Sequence, residues 1–138
     1  MSGWLLDVNV LLGCAWKSHA EHPALLGWLL HVNDWATCPL TESAFVRISM
    51  TTAYQAAFDD ARKSLATLRA LRGHRFLSDD VDAALLPVLS SYKDTTDAHL
   101  VTLAKRHGLK LATLDRTLLA KPWAAGVAEN PLAQPITS

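Results

Sequence analysis

The chain has 138 residues and is half hydrophobic, enough to bury one sizeable core without disulfides or metal staples. Thirteen basic and thirteen acidic side chains cancel, so net charge does not announce a nucleic-acid binder. No apolar run approaches the roughly 18–20 residues of a membrane span, and the start, MSGWLLDVNVLLGCAW, carries Asp7 and no basic run, unlike a secretory leader.

In chain order, WLLDV (4–8) is a short apolar run ending in a carboxylate, which predicts a first strand. VLLGCAW then continues as an apolar helix or helical turn. Pro23 marks the start of a second helix, with Leu25, Trp28, Leu29 and Val32 on one face. WATCP (35–39) is a second strand. Thr41 and Glu42 open a helix whose stripe runs through Phe45, Ile48 and Ser49 or Thr52. Asp59 and Asp60 open a basic amphipathic helix that buries Leu65, Leu68 and Leu71 and stops at Gly73. HRFLS (74–78) predicts a third strand, and 80–91 a short helix containing Pro87. Thr95 and Thr96 are candidate caps of a helix with Asp97 in its first turn, Ala98, Val101, Leu103 and Ala104 on its buried side, and Lys105, Arg106 and His107 in its last. Gly108 supplies the left-handed stop, and LKLATLD (109–115) is a strand ending in a carboxylate. ENPLAQPITS is a short terminal strand or a tail. No linker or repeat divides the chain, so residues 1–138 are expected to form one domain.

Strands alternating with helices imply βαβ units, hence a mostly parallel sheet covered by helices on both faces. In such a sheet the strands end at one edge, and the returning helices begin there. Asp7 and Asp115 end strands; Glu42 and Asp97 open helices. All four carboxylates are therefore expected at one edge, though they are far apart in sequence. Each alone is explained by a helix dipole or an Asx-turn. Together they repel one another and need solvent, protons or a cation. Hard oxygen donors without a nearby Cys or His set suit Mg²⁺, with Mn²⁺ as substitute. Such ions serve phosphodiester hydrolysis by activating water and steadying the leaving oxygen.

Other residues carry weaker expectations. Residues 1–60 hold two basic and six acidic side chains, and residues 61–138 hold eleven and seven. The clusters Arg62, Lys63, Arg69, Arg72, Arg75 and Lys105, Arg106, Lys110, Arg116, Lys121 are solvated helix faces or a phosphate-tracking rim. Cys14 and Cys38 lack metal spacing and fit buried free thiols in a reducing cytoplasm. His19, His22, His99 and His107 are left out of the metal set: His99 is too near Asp97 along the helix to share its direction, and His107 suits a helix C-terminus.

LLDVNVLL, LTESAFVRI, TTDAHLVTLAKRHG and LATLDRTL occur in an order and spacing that resembles the PIN-domain family, and within it the VapC-type toxins of bacterial toxin–antitoxin pairs. The resemblance covers residues 4–50 and 93–119; the middle agrees only in length and helical character. It implies a three-layer α/β/α fold with a central, mostly parallel sheet of four to five strands, and a Mg²⁺- or Mn²⁺-dependent endoribonuclease. By position Asp7, Glu42 and Asp97 match the family's main acidic residues and Asp115 its more variable fourth, with Asp94 as a rival. Asn9 and Thr113 can hold metal-bound water or orient a carboxylate. Arg47 matches an arginine common in these toxins, an anchor for phosphate or a structural ion-pair partner. The resemblance also implies an RNA substrate, tRNA, rRNA or mRNA, whose cleavage inhibits translation and growth. It further implies a cognate VapB-like antitoxin lying across the toxin groove and a homodimer. Trp16, Trp28 and Trp35, near the N-terminal helices, are apolar material suited to such contacts, although at least three of the five tryptophans are expected in the core or a dimer interface.

Related architectures fit less well. A haloacid-dehalogenase-like phosphatase needs an acid where Asn9 stands, and a receiver domain needs a middle-strand Asp and a late Lys that cannot be placed. A catalytically silent PIN module for RNA binding or assembly, or a housekeeping PIN nuclease, shares the fold. The four acids argue against the silent form.

Overall fold

The computed structural model describes residues 3–133. Five short strands form one sheet: β1 (Trp4–Leu6), β2 (Trp35–Thr37), β3 (His74–Phe76), β4 (Lys110–Ala112) and β5 (Ala128–Glu129). Their order is β3-β2-β1-β4-β5, and every neighbouring pair is parallel. Six α-helices connect them: α1 (Val8–Ala15), α2 (His22–Leu29), α3 (Pro39–Ser49), α4 (Phe58–Arg69), α5 (Thr95–Arg106) and α6 (Arg116–Leu119). The α/β/α sandwich expected from the alternating pattern is therefore present, with an entirely parallel sheet.

The strand order explains how the layers divide. The chain moves outward from β1 to β2 to β3, then returns to the other side of β1 for β4 and β5. Right-handed crossovers that reverse direction put their helices on opposite faces. Side chains alternate accordingly. Leu6, Trp35 and Ala112 pack with Val10, Leu25, Phe45 and Leu65 from α1–α4. Leu5, Ala36 and Leu111 pack with Leu100, Leu103 and Ala104 of α5 and Leu118 of α6. Each fully buried leucine among them contributes about 1.5–3 kcal/mol of burial free energy.

The tryptophans are largely structural. Trp35 is fully buried, Trp4 and Trp28 meet edge to face at 5.4 Å, and Trp16 stacks on Phe45 at 6.1 Å. Trp16 also donates its indole N–H to Ser49 Oγ at 2.9 Å. Cys14 and Cys38 are free and buried. Burial pushes the Cys14 thiol up to about 12, so it is inert.

Local chemistry shortens or moves several expected elements. The strand expected at 4–8 ends at Leu6, because Asp7 caps α1 by accepting the Val8 N–H. The basic helix ends at Arg69, before Leu71. Gly73, at φ +90°, makes the turn into β3, where a Cβ would lie 2.6 Å from the Asn33 carbonyl oxygen. The helix expected over 80–91 does not form. Only a 3₁₀ turn, Ala83–Leu85, is present. Pro87 holds Leu86 extended (φ −72°, ψ 150°), which stops propagation. Neither Thr95 nor Thr96 caps α5. Asp94 is the cap residue, and the Thr95 hydroxyl donates instead to the Tyr92 carbonyl. Of the terminal decapeptide only Glu129 lies in a strand, β5; its last five residues fall outside the described range. Among the described residues, no helix is long and apolar enough to cross a membrane.

Candidate active site

The strand order reverses between β1 and β4, and their C-terminal ends flank the crevice where open α/β sheets bind ligands. Asp7 follows β1 and Thr113 follows β4. The backbones are tied there by Asp7 N–H to Ala112 C=O at 2.9 Å. Thr113, fully buried, is the hub of this corner. Its hydroxyl donates to Asp7 Oδ2 at 2.7 Å and accepts the Asp115 N–H at 3.1 Å and the Asn9 amide at 3.3 Å. Asn9 in turn accepts the Leu114 N–H at 3.1 Å. Asn9 and Thr113 thus fix the orientation of Asp7 and the course of the chain toward Asp115.

Asp7 is 5% exposed, and burial raises its carboxyl above the ordinary range. The bonds from Thr113 and the Val8 N–H oppose this rise, and the charge of Asp115 adds to it. Asp97, in the first turn of α5, is half-buried and pushed up to about 6. Burial is the main cause, followed by repulsion from Asp7, Asp115 and Asp94, with Lys121 pulling the other way. Asp115 caps α6, its Oδ1 accepting the Thr117 and Leu118 N–H groups at 2.9 and 3.2 Å. Asp94 is held by Lys121 at 3.2 Å, so its charge is already answered.

Asp7 and Asp97 line one cavity of ≈ 310 Å³, walled on the far side by α3 through Ser43, Ala44 and Arg47. Arg47 makes no ion pair among the described residues. Glu42 is not part of this cavity. Its Oε2 accepts the Thr37 hydroxyl at 2.6 Å and its Oε1 the Arg69 guanidinium at 3.1 Å, in a groove between α3 and α4. The structure therefore brings Asp7, Asp97 and Asp115 within electrostatic reach of one another and leaves Glu42 bound elsewhere.

The donor chemistry fits a hard divalent cation. No three carboxylate, imidazole or thiolate groups among the described residues form a ready-made cage. Mg²⁺ does not need one, since it keeps several waters and takes one or two carboxylates plus phosphate oxygens. Burial together with like charges lifts Asp97 to about 6 beside an open cavity, and a bound cation relieves the repulsion.

Sequence reasoning missed Arg69 and Thr37 as partners of Glu42, Lys121 as the partner of Asp94, and the pair formed by His99 Nε2 and Asp79 Oδ2 at 2.6 Å. Thr37 lies five residues before Glu42, across the β2–α3 turn; the other partners lie 20 residues or more apart, beyond the range of any local pattern. Many of the basic side chains counted as a possible rim are likewise paired: Arg62 with Asp59, Arg75 with Asp34, Arg106 with Asp80, and Lys110 with Glu129.

Both the sequence and the fold have counterparts among known proteins. The profile of the PIN domain matches residues 4–123. The chain is 46% identical over 118 residues to ribonuclease VapC38 of Mycobacterium tuberculosis, covering 80% of this chain and 84% of that one. It is 38% identical over 135 residues to ribonuclease VapC39 of the same organism, covering 91% and 96%. In three dimensions it resembles a chain in the crystal structure of VapBC2 from Rickettsia felis bound to a promoter DNA fragment. There the TM-score is 0.59 at 13% identity, covering 92% of this chain and 97% of that one, a likeness of fold.

Proposed function

This chain belongs to the PIN-domain family, and we propose that it is a divalent-metal-dependent endoribonuclease, the toxin of a VapBC-type toxin–antitoxin pair. The observation that carries the reading is the cavity lined by Asp7, Asp97 and Arg47, where the charges of Asp7 and nearby Asp115 act on Asp97. The names of its relatives, ribonucleases VapC38 and VapC39, support the same reading.

In this reading Asp7, Asp97 and Asp115 hold Mg²⁺ or Mn²⁺, which when bound supplies an activated water and charge neutralisation at the scissile phosphate. Thr113 and Asn9 keep Asp7 in place. Arg47 draws a phosphate of the RNA to the rim of the cavity. Lys121 withdraws Asp94 from the set. The whole chain acts as one PIN domain in the cytoplasm. It is a homodimer silenced by a VapB-like antitoxin, and RNA cleavage, with tRNA among the candidate substrates, inhibits translation and growth.

The test is incubation of the purified protein with total RNA, with Mg²⁺, with Mn²⁺ and with EDTA. Cleavage that needs the metal and stops in EDTA is expected; undiminished cleavage in EDTA would sink the metal reading. Binding of RNA without cleavage under any metal would favour the silent module.

A further inference from the structure

The two long faces of α3 do different things. Leu40, Ala44, Arg47 and Ile48 recur at helical spacing and line the cavity of Asp7 and Asp97. Glu42, Val46 and, just past the helix end, Met50 recur at i, i+4 and i+8 and line the groove against α4, with Ser43 and Arg47 on the ridge that borders both spaces. At about 100° per residue, Glu42 stands off the stripe that faces the aspartates.

Each oxygen of its carboxylate also has a partner where it is. Thr37 has one hydroxyl hydrogen, and an ionised carboxylate can only accept, so that hydrogen goes to Glu42 Oε2 at 2.6 Å. The Thr37 oxygen must then accept from His74, whose Nε2 lies 2.7 Å away and therefore carries a proton. Arg69 takes the other carboxylate oxygen at 3.1 Å, and its guanidinium lies 5.2 Å above the Phe76 ring. The Glu42 side chain is 15% exposed and that of Arg69 41%, so the carboxylate is sheltered while the guanidinium reaches solvent. Thr37 from the end of β2 and Arg69 from α4 meet the carboxylate of α3, and β3 backs each of them, through His74 and Phe76.

We propose that Glu42 is a positioning residue rather than a metal donor: gripped by Thr37 and Arg69, it fixes the rotation of α3 and so aims Arg47 into the cavity of Asp7 and Asp97. The proposal rests on the metal-dependent ribonuclease reading above, but two of its readouts do not depend on turnover. Arg69 is the residue whose loss leaves the carboxylate without a cation. Thr37 and His74 hold its second oxygen in register.

Calorimetric titration of Mn²⁺ into the full chain, without RNA, separates the two roles of Glu42. Glu42→Gln is expected to bind Mn²⁺ within about threefold of the unaltered protein, while Asp97→Asn loses tenfold or more, as removal of a donor should. With RNA, Glu42→Gln and Arg69→Gln are expected to raise KM more than they lower kcat, since a displaced Arg47 weakens substrate placement. The charge swap Glu42→Arg with Arg69→Glu is expected to recover melting temperature and KM relative to either single change. A metal donor could not be rescued this way. Loss of Mn²⁺ affinity in Glu42→Gln equal to that in Asp97→Asn would overturn the proposal, as would a swap no better than the single variants. Failure of the metal reading itself appears separately, as no Mn²⁺ binding to the unaltered protein. The melting temperatures of the swap series then still decide whether the grip exists.

Discussion

Two groups of carboxylates sit at the strand ends of this sheet, and the protein treats them in opposite ways. Glu42 and Asp94 are each met by a cation, Arg69 at 3.1 Å and Lys121 at 3.2 Å. Among the described residues Asp7 and Asp97 receive no such partner; burial raises both, with the charge of Asp115 adding at Asp7 and those of Asp7 and Asp115 adding at Asp97, which reaches about 6. A satisfied carboxylate fastens elements together. An unsatisfied one stores electrostatic free energy that a bound cation or a proton releases. The contrast shows which acids at one edge serve the fold and which are available for chemistry, although all four look alike in sequence.

The largest expected effect comes from removing an unsatisfied charge. Asp97→Asn and Asp7→Asn should each lower metal-dependent RNA cleavage by roughly 10²-fold or more. The fold, followed by circular dichroism and melting temperature, should be unchanged or more stable, because repulsion is relieved. Retained activity in both variants would erase the distinction between the two groups.

Next is Thr113→Val, which is close in shape and removes the hub hydroxyl. It leaves Asp7 Oδ2, the Asn9 amide and the Asp115 N–H without their common partner. A destabilisation of about 1–3 kcal/mol is expected in urea melts, with a loss of activity. A neutral result would mean that Asp7 is oriented by its backbone bond alone.

The third effect is a pH dependence. Asp97 titrates at about 6 in the folded chain, against 3.8 as the ordinary value. The folded state therefore binds the proton more tightly than the unfolded chain. Its stabilising contribution is complete below the unfolded value and is lost as pH rises through about 6. Metal-free protein should lose stability from about pH 4 to just above pH 6 relative to Asp97→Asn, and saturating Mg²⁺ should reduce the loss. Parallel pH profiles for the two proteins would contradict the raised carboxyl.

The smallest effect is expected at a satisfied pair in solvent. Asp59→Ala breaks the exposed Asp59–Arg62 pair and should change stability by about 0.5 kcal/mol or less. A larger loss would show that pairing on α4 matters more than its exposure suggests.

Much of this was legible in the residues themselves. Apolar runs such as WLL and KLA, and turn residues such as Gly73 and Gly108, set the strands and their ends. These signals are local, because periodicity and backbone strain act over a few residues. The alternation of strands with helices was enough to expect a parallel sheet with helices on both faces. It also brought Asp7, Asp97 and Asp115 to one edge, since parallel strands must all end on the same side. The helix expected over 80–91 failed where Pro87 outweighed apolar spacing, a local conflict that was itself visible in the sequence.

What the sequence could not decide was which carboxylates would remain unsatisfied. Helix periodicity specifies the angle between Glu42 and Ala44 but not which of them faces the cavity. The packing of α3 against α4 and the sheet makes that choice. Arg69 lies 27 residues from Glu42, and Thr113 lies 106 from Asp7. Such partners are selected by the strand order β3-β2-β1-β4-β5, not by spacing. Charge and hydrogen bonding act through space, and only the closed fold defines those distances.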